Sequence, residues 1–174
     1  MVFFKPMLAK EAAKPFSDRD WIFEVKWDGF RAIANVREPF SLKSRNGREL
    51  ILNFPEVIEL NQLAHDVVVD GEILILRGGK VDFEAMQERS QLTNSVDIDR
   101  RMRASPATFV VFDILEKDGR PLVDLLLMER KRILRESVKD GDHVVVSDFV
   151  DGQGEAYFKV VSEKGLEGVV AKRN

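Results

Sequence analysis

Apolar residues fall into two recurring patterns along the chain. Continuous or alternating runs rich in β-branched and aromatic residues predict strands over residues 21–27, 31–36, 67–76, 108–115, 144–149 and 168–172. Turn signals punctuate them at Asp28-Gly29, Asn46-Gly47, Asp70-Gly71, Gly78-Gly79, Asp118-Gly119, Asp140-Gly141 and Asp151-Gly152. Short separations with such pairs at the break favour antiparallel hairpins over parallel crossovers. Helical spacing runs over residues 55–64, where Pro55 stands at the start and Val57, Leu60 and Ala64 recur. Further helices are predicted over 83–91, 125–138 and 154–164; the last puts Tyr157, Val160 and Val161 on one stripe and stops at Gly165. The pattern is α+β, antiparallel sheets with helices packed on them. No repeat, low-complexity tract or linker divides the 174 residues, which read as one domain.

Composition then narrows the class. Hydrophobic residues at 44% and charged residues at 33% describe a globular chain that can build a core. The absence of cysteine removes disulfides, thiolate nucleophiles and cysteine-based metal sites. With only His65 and His143, multi-histidine cages and most histidine-based triads are also excluded. No apolar run approaches the ~18 residues that span a bilayer. The first six residues carry no signal-peptide pattern, so a cytoplasmic, membrane-free protein is expected. The 27 basic and 30 acidic side chains leave a net charge of −3, which gives no blanket attraction to polyphosphate. Basic clusters at Arg100-Arg101-Met102-Arg103 and at Arg130-Lys131-Arg132, continuing to Arg135, read as solvated helix faces.

Two phosphate-binding patterns can be set aside. A G-x-x-x-x-G-K-[ST] loop is absent, and Gly78-Gly79-Lys80 lacks both the leading spacing and the hydroxyl. The stretch from Gly152 to Tyr157 imitates a dinucleotide fingerprint, but Tyr157 stands where close helix–strand packing asks for glycine or alanine.

The informative segment is Glu24-Val25-Lys26-Trp27-Asp28-Gly29-Phe30-Arg31. Strand alternation sends Glu24 and Lys26 to one face, and Lys26 ends a buried-looking strand, held against the sheet. Alone, this K-x-D-G-x-R block reads equally well as an ordinary hairpin with polar residues at its turn. Other blocks accompany it. Ser44-Arg45-Asn46-Gly47 places an arginine at another tight turn, where a solvated side chain is the plain alternative. Asp70 and Glu72 share a strand face with Val68 and Leu74, a costly position for a carboxylate unless a cation or donors meet it. Phe112-Asp113 lies inside an apolar strand, and Glu167-Gly168-Val169-Val170-Ala171-Lys172 carries a further acid and lysine. As strand residues five apart, Glu167 and Lys172 should face opposite sides unless a bulge intervenes.

Together with Pro6-Met7-Leu8-Ala9, these ordered blocks resemble the nucleotidyltransferase superfamily of ATP-dependent DNA ligases, RNA ligases and mRNA capping enzymes. Within it the chain is most similar to the adenylation domain of DNA ligase D, the ligase of prokaryotic non-homologous end joining. The resemblance implies an ATP-grasp-like α+β fold and a role in DNA repair. It implies that Lys26 attacks the α-phosphate of ATP, leaving AMP covalently on the lysine and releasing pyrophosphate. Arg31 and Arg45 would contact ribose or phosphate, including the 5′-phosphate of a broken strand. Glu72 would bind ribose or position a metal, Glu167 would hold the catalytic metal, Mg²⁺ or Mn²⁺, and Phe112 would stack on adenine. Glu24 would frame the adenine edge, and Lys172 would lean towards the phosphates. The implied partners are nicked or broken double-stranded DNA, with Ku-type and polymerase modules of end joining as neighbours, around a monomeric chain.

The physics suits these roles. A free lysine amine has a pKa near about 10.4, so only a small neutral fraction exists at neutral pH. A divalent cation between two carboxylates favours the neutral amine and offsets phosphate charge. The family continues past the Glu-Gly-Val-Val block with another lysine-rich block and an OB-fold domain. Residues 1–174 therefore read as a single adenylation domain, C-terminally incomplete and without the OB-fold. Competing readings are an RNA ligase or capping-type nucleotidyltransferase on the same blocks, and a catalytically idle nucleotide-binding module.

Overall fold

A computed structural model describes residues 4–174. The reading of the first six residues as lacking a signal pattern lies partly outside the described residues. Among the described residues, no helix is long and apolar enough to cross a membrane.

In chain order the elements are β1 (Trp21–Lys26), β2 (Phe30–Val36), β3 (Ser41–Ser44), a 3₁₀ turn (Pro55–Glu59), α1 (Leu60–Leu63), β4 (Val67–Arg77) and β5 (Lys80–Val81). There follow α2 (Phe83–Gln91), α3 (Ser95–Ala104), β6 (Ala107–Lys117), β7 (Arg120–Pro121) and α4 (Leu127–Ser137). The chain ends with β8 (Val144–Val146), β9 (Val150–Asp151), α5 (Gly154–Glu163) and β10 (Gly168–Arg173). The architecture is α+β, as the apolar pattern predicts. The helix over 55–64 opens as a 3₁₀ turn on Pro55, whose missing N–H is no loss at a first turn. Helix α3 is an additional element; Asn94 caps it by accepting from Val96 N.

The strands form two sheets. The larger has the order β3-β2-β4-β6-β7, with β5 on β4 and β8 on β6. The smaller has the order β10-β1-β9. The expected hairpin at Asp28-Gly29 is therefore not a hairpin: β1 pairs with β10 and β9, whereas β2 pairs with β3 and β4. The K-x-D-G segment is a joint between two sheets. Gly29 serves close approach there, because a Cβ would stand 2.3 Å from Ile73 O and 2.9 Å from Glu72 Cγ. Asp70-Gly71 likewise is no turn but the middle of β4, paired on both sides. The antiparallel expectation fails once, at β6 and β8, which run parallel because α4 carries the chain back between them.

Alternation along β2 and β4 sorts residues onto two faces of the large sheet. Ala32, Ala34, Val36, Val67, Val69, Ile73 and Ile75 enter the main core with Phe54, Phe109 and Leu134. Arg31, Asp70 and Glu72 occupy the opposite face, with Arg31 paired to Glu72 across β2–β4. On β6 the register slips between Asp70 and Gly71, whose partners are Asp113 and Val111, so Phe112 is the extra residue of a bulge. The bulge lets Phe112 and Asp113 both reach the Asp70 face, which strict alternation forbids. On α5 the expected stripe is incomplete: Val161 is buried, but Val160 is 46% exposed.

Candidate nucleotide-binding site

The face bearing Arg31, Asp70, Glu72 and Phe112 is met by residues of the small sheet, helix α4 and the segment before β10. Lys26 ends β1, and its amine is paired with the Glu167 carboxylate. From sequence it is expected to be held against the sheet; its side chain is 46% exposed and is held at the rim by the ion pair with Glu167. Glu167 lies one residue before β10, where Gly168 pairs with Lys26. Strand alternation therefore does not govern Glu167. It reaches Lys26 while Lys172, on β10, reaches Glu24, and both acids and both lysines end at the same site.

Glu72 approaches from β4. Burial first, opposed by the positive charges of Arg31 and Lys26 and by the Gly29 N–H, pushes its carboxyl up to about 7. Next to it Asp70 accepts a fork from Arg31, Nε at 2.6 Å and Nη2 at 2.7 Å. Burial pushes the Asp70 carboxyl above the usual range, and the Arg31 pair pulls the other way. This is the cation that an acid on an apolar strand requires. Arg31 and Lys172 each lie 4.6 Å from the Phe112 ring centre, so cations and an aromatic face gather at one place.

Glu24 is buried, and two ammonium groups reach its Oε1: Lys131 at 2.6 Å and Lys172 at 3.0 Å. Lys131 also donates to Phe112 O at 2.6 Å. The reading of the basic run from Arg130 to Arg135 as a solvated face holds for Arg132, which pairs with Glu136 at the surface, and for the exposed Arg135, which pairs with Asp148, but not for Arg130 or Lys131. Arg130 forks onto Asp113 at 2.9 and 3.0 Å, and Lys131 is 4% exposed. A signal for this existed: Leu127, Lys131 and Leu134 are the buried positions of α4 and fall at helical spacing, with the lysine inside the stripe. Asp113 had no such signal beyond its apolar surroundings, since the bulge that aims it is a property of strand pairing.

Arg45 stands apart. Among the described residues it has no ion pair or side-chain hydrogen bond, and it is exposed in the turn after β3. Because Ser44 pairs with Ala32, Arg45 leaves the sheet at the level of Arg31, at the site's edge.

The donors fit a nucleotide and a hard cation. Glu72 is largely desolvated and, among the described residues, forms no ion pair of its own although Arg31 and Lys26 lie near, and Glu167 offers a second set of carboxylate oxygens beside Lys26. Among the described residues no group of three or more His, Cys, Asp or Glu could cage a metal. A cation here would take its remaining ligands from phosphate and water, as Mg²⁺ commonly does. Trp27, which follows Lys26, keeps a buried indole N–H without an acceptor among the described residues.

The chain is similar to known proteins over nearly its whole length. The family description "ATP dependent DNA ligase domain" matches residues 6–174. The chain is 35% identical to the SPbeta prophage-derived DNA ligase-like protein LigB of Bacillus subtilis, over 99% of its own length and 61% of that protein's. It is 35% identical to the multifunctional non-homologous end joining protein LigD of Mycolicibacterium smegmatis, over 98% of its length and 21% of that protein's. Among solved structures, a mycobacterial DNA ligase D complexed with ATP and MES superposes with a TM-score of 0.75 at 28% identity, covering 97% of this chain and 54% of that one. The chain thus spans between about a fifth and three-fifths of these relatives. A nucleotidyltransferase fold with a lysine, two acids, an arginine and an aromatic gathered between two sheets, matched over nearly its whole length, belongs to the ATP-dependent DNA ligase domain family.

Proposed function

We propose that this chain is the adenylation core of an ATP-dependent DNA ligase, with Lys26 as its nucleophile. The observation that carries the reading is the Lys26–Glu167 pair at the joint of the two sheets, facing Glu72 and flanked by Arg31, Phe112 and Lys172. In the reaction the deprotonated Nζ of Lys26 attacks the α-phosphorus of ATP. The N–P bond forms, the bond to the bridging oxygen breaks, and pyrophosphate leaves. Glu167 holds the amine in place beforehand. Lys172 and Arg31 offer donors to ribose and phosphate oxygens, and Phe112 offers a face to the base. A divalent cation held by Glu72 and Glu167, Mg²⁺ or Mn²⁺, would offset phosphate charge and favour the neutral amine. In-line phosphoryl transfer asks mainly for positioning and charge stabilisation, which this set supplies without histidine or cysteine.

The AMP would pass to the 5′-phosphate of nicked or broken double-stranded DNA, which Arg45, in the turn after β3, would contact. Sealing would follow by attack of the 3′-hydroxyl and release of AMP. Similarity to a protein named for non-homologous end joining supports a place in DNA end joining. We extend the proposal to a cytoplasmic setting beside Ku-type and polymerase modules. The decisive test is incubation with α-labelled ATP and Mg²⁺, then denaturing electrophoresis. The wild-type chain should carry label and Lys26→Ala should carry none, with an unchanged thermal transition. Label retained on the variant refutes the nucleophile; labelling by GTP in place of ATP moves the chain to the capping enzymes.

A further inference from the structure

The cluster of Glu24, Lys131 and Lys172 has a feature that the reaction above does not use. One buried carboxylate oxygen is shared by two lysines, and the three side chains are 3%, 5% and 23% exposed in the order Glu24, Lys131, Lys172. The two lysines are not equivalent. Lys172 lies on β10, stands over the Phe112 ring and is partly open to the site. Lys131 rises from the buried stripe of α4; its ammonium is tied to Glu24 on β1 and to the Phe112 carbonyl on β6, and also lies 5.9 Å from the centre of the Phe149 ring. If Lys172 turns to an arriving phosphate, Glu24 keeps one cation only, and that cation also fixes the strand segment bearing the aromatic face.

We propose that Lys131 is a positioning residue that holds Glu24 and the Phe112 segment in register, and through them makes the site select adenine over guanine. This rests on the reading of the cleft as a nucleotide site. A carboxylate accepts hydrogen bonds, so at the base edge it favours the exocyclic amine of adenine and opposes the carbonyl that guanine presents at the same position. That discrimination requires the carboxylate to be ionised and fixed, and a buried carboxylate with no cation is neither. Burial foremost, then the neighbouring Lys172, lowers the Lys131 ammonium to about 8, against the pull of Glu24. Glu24 in contact and Asp113 nearby supply the negative charge that keeps this buried ammonium in place. Arg130, one residue earlier, is committed to Asp113 and Leu125 O and is not available to replace it.

The test is calorimetric titration of the full chain with ATP and with GTP in Mg²⁺, for the wild type, Lys131→Met, Glu24→Gln and the double variant. The ratio of the two affinities cancels any loss of folded protein, which a purely structural role would affect equally for both nucleotides. Each single variant should lower the ATP-over-GTP preference by about tenfold, and the double variant should lower it no further. A folded Lys131→Met with the wild-type ratio overturns the proposal, as does an additive double variant, which would route Lys131 through something other than Glu24. Should Lys131→Met fail to fold, Lys131→Gln is read the same way, and an unchanged ratio in Glu24→Gln alone also overturns it. A wild-type chain that binds neither nucleotide sinks the nucleotide-site reading itself, and this proposal with it.

Discussion

Two buried acid–base clusters in this molecule look alike and do different work. In the first, Arg89 of α2 is 1% exposed and every branch of its guanidinium has a partner. Nε donates to Asn53 O, Nη1 to Ser105 O, and Nη2 to both Glu56 oxygens, at 2.8 and 2.7 Å. Glu56 also accepts from Ala107 N at 2.7 Å. The cluster ties the 3₁₀ turn, α2 and the start of β6 together, with no capacity left for a ligand. In the second, Glu24 is shared by two lysines, so the charges do not balance locally and one lysine, Lys172, stands partly open to the cleft. A closed network of forked donors is a staple; an open one of point-charge ammonium groups has charge to offer to something that arrives.

This contrast can be broken experimentally. The largest effect is expected from Arg89→Met, which strands Glu56 in the interior and should cost about 3–5 kcal/mol of stability in denaturant unfolding. The intact protein has only ~5–15 kcal/mol to lose, so little native protein should survive. A loss below 1 kcal/mol would show that the cluster is no staple.

The next effect belongs to Glu72 and is a matter of pH. Its folded carboxyl, near 7, holds a proton that the unfolded chain releases around its ordinary 4.5. Between those values the native state binds more protons, so its contribution favours folding at acid pH and is lost as pH rises through the window, by up to about 3 kcal/mol. Asp70, also raised by burial, acts in the same direction. Glu72→Gln should flatten that slope in melts taken from pH 4.5 to 8; an unchanged slope would place the titration elsewhere.

Smaller still is the stability cost of Lys131→Met. Glu24 keeps Lys172, so the loss should stay under about 2 kcal/mol, well short of Arg89→Met. A cost equal to that of Arg89→Met would erase the distinction between the clusters. Least of all, Arg132→Ala removes an exposed pair with Glu136 one helical turn on, and its unfolding midpoint should shift by no more than about 0.5 kcal/mol in equivalent stability.

How far the site could be read from the chain depends on the range of the forces involved. Residue type and strand position singled out the blocks that carry Glu24, Lys26, Arg31, Glu72, Phe112, Glu167 and Lys172, the family resemblance supplied their roles, and the fold brings their side chains together. Arg45 is placed only at the edge, because a turn fixes the backbone but not where a long exposed side chain points. Arg130 and Lys131 were masked by a habit of basic residues, since most such clusters on helices are solvated. What buries them is the acid opposite, Asp113 in one case and Glu24 in the other, each far away in sequence. Arg89 was hidden for the same reason, its partners lying on the 3₁₀ turn and the chain before β6.

The amino-acid order by itself determined the longer strands, four of the helical segments and their α+β mixture, because side-chain periodicity, proline and capping act within a few residues; α3 and the short strands β3, β5, β7 and β9 were not read from it. It also determined which chemistry was available: a lysine, carboxylates, arginines and an aromatic, with no thiol and almost no imidazole. Only the folded molecule decided that β1 and β2 part into separate sheets, that a bulge turns Phe112 and Asp113 to one face, and that Lys131 serves Glu24. Strand pairing and the desolvation of charge join residues distant along the chain, and no local pattern records which partner will be there.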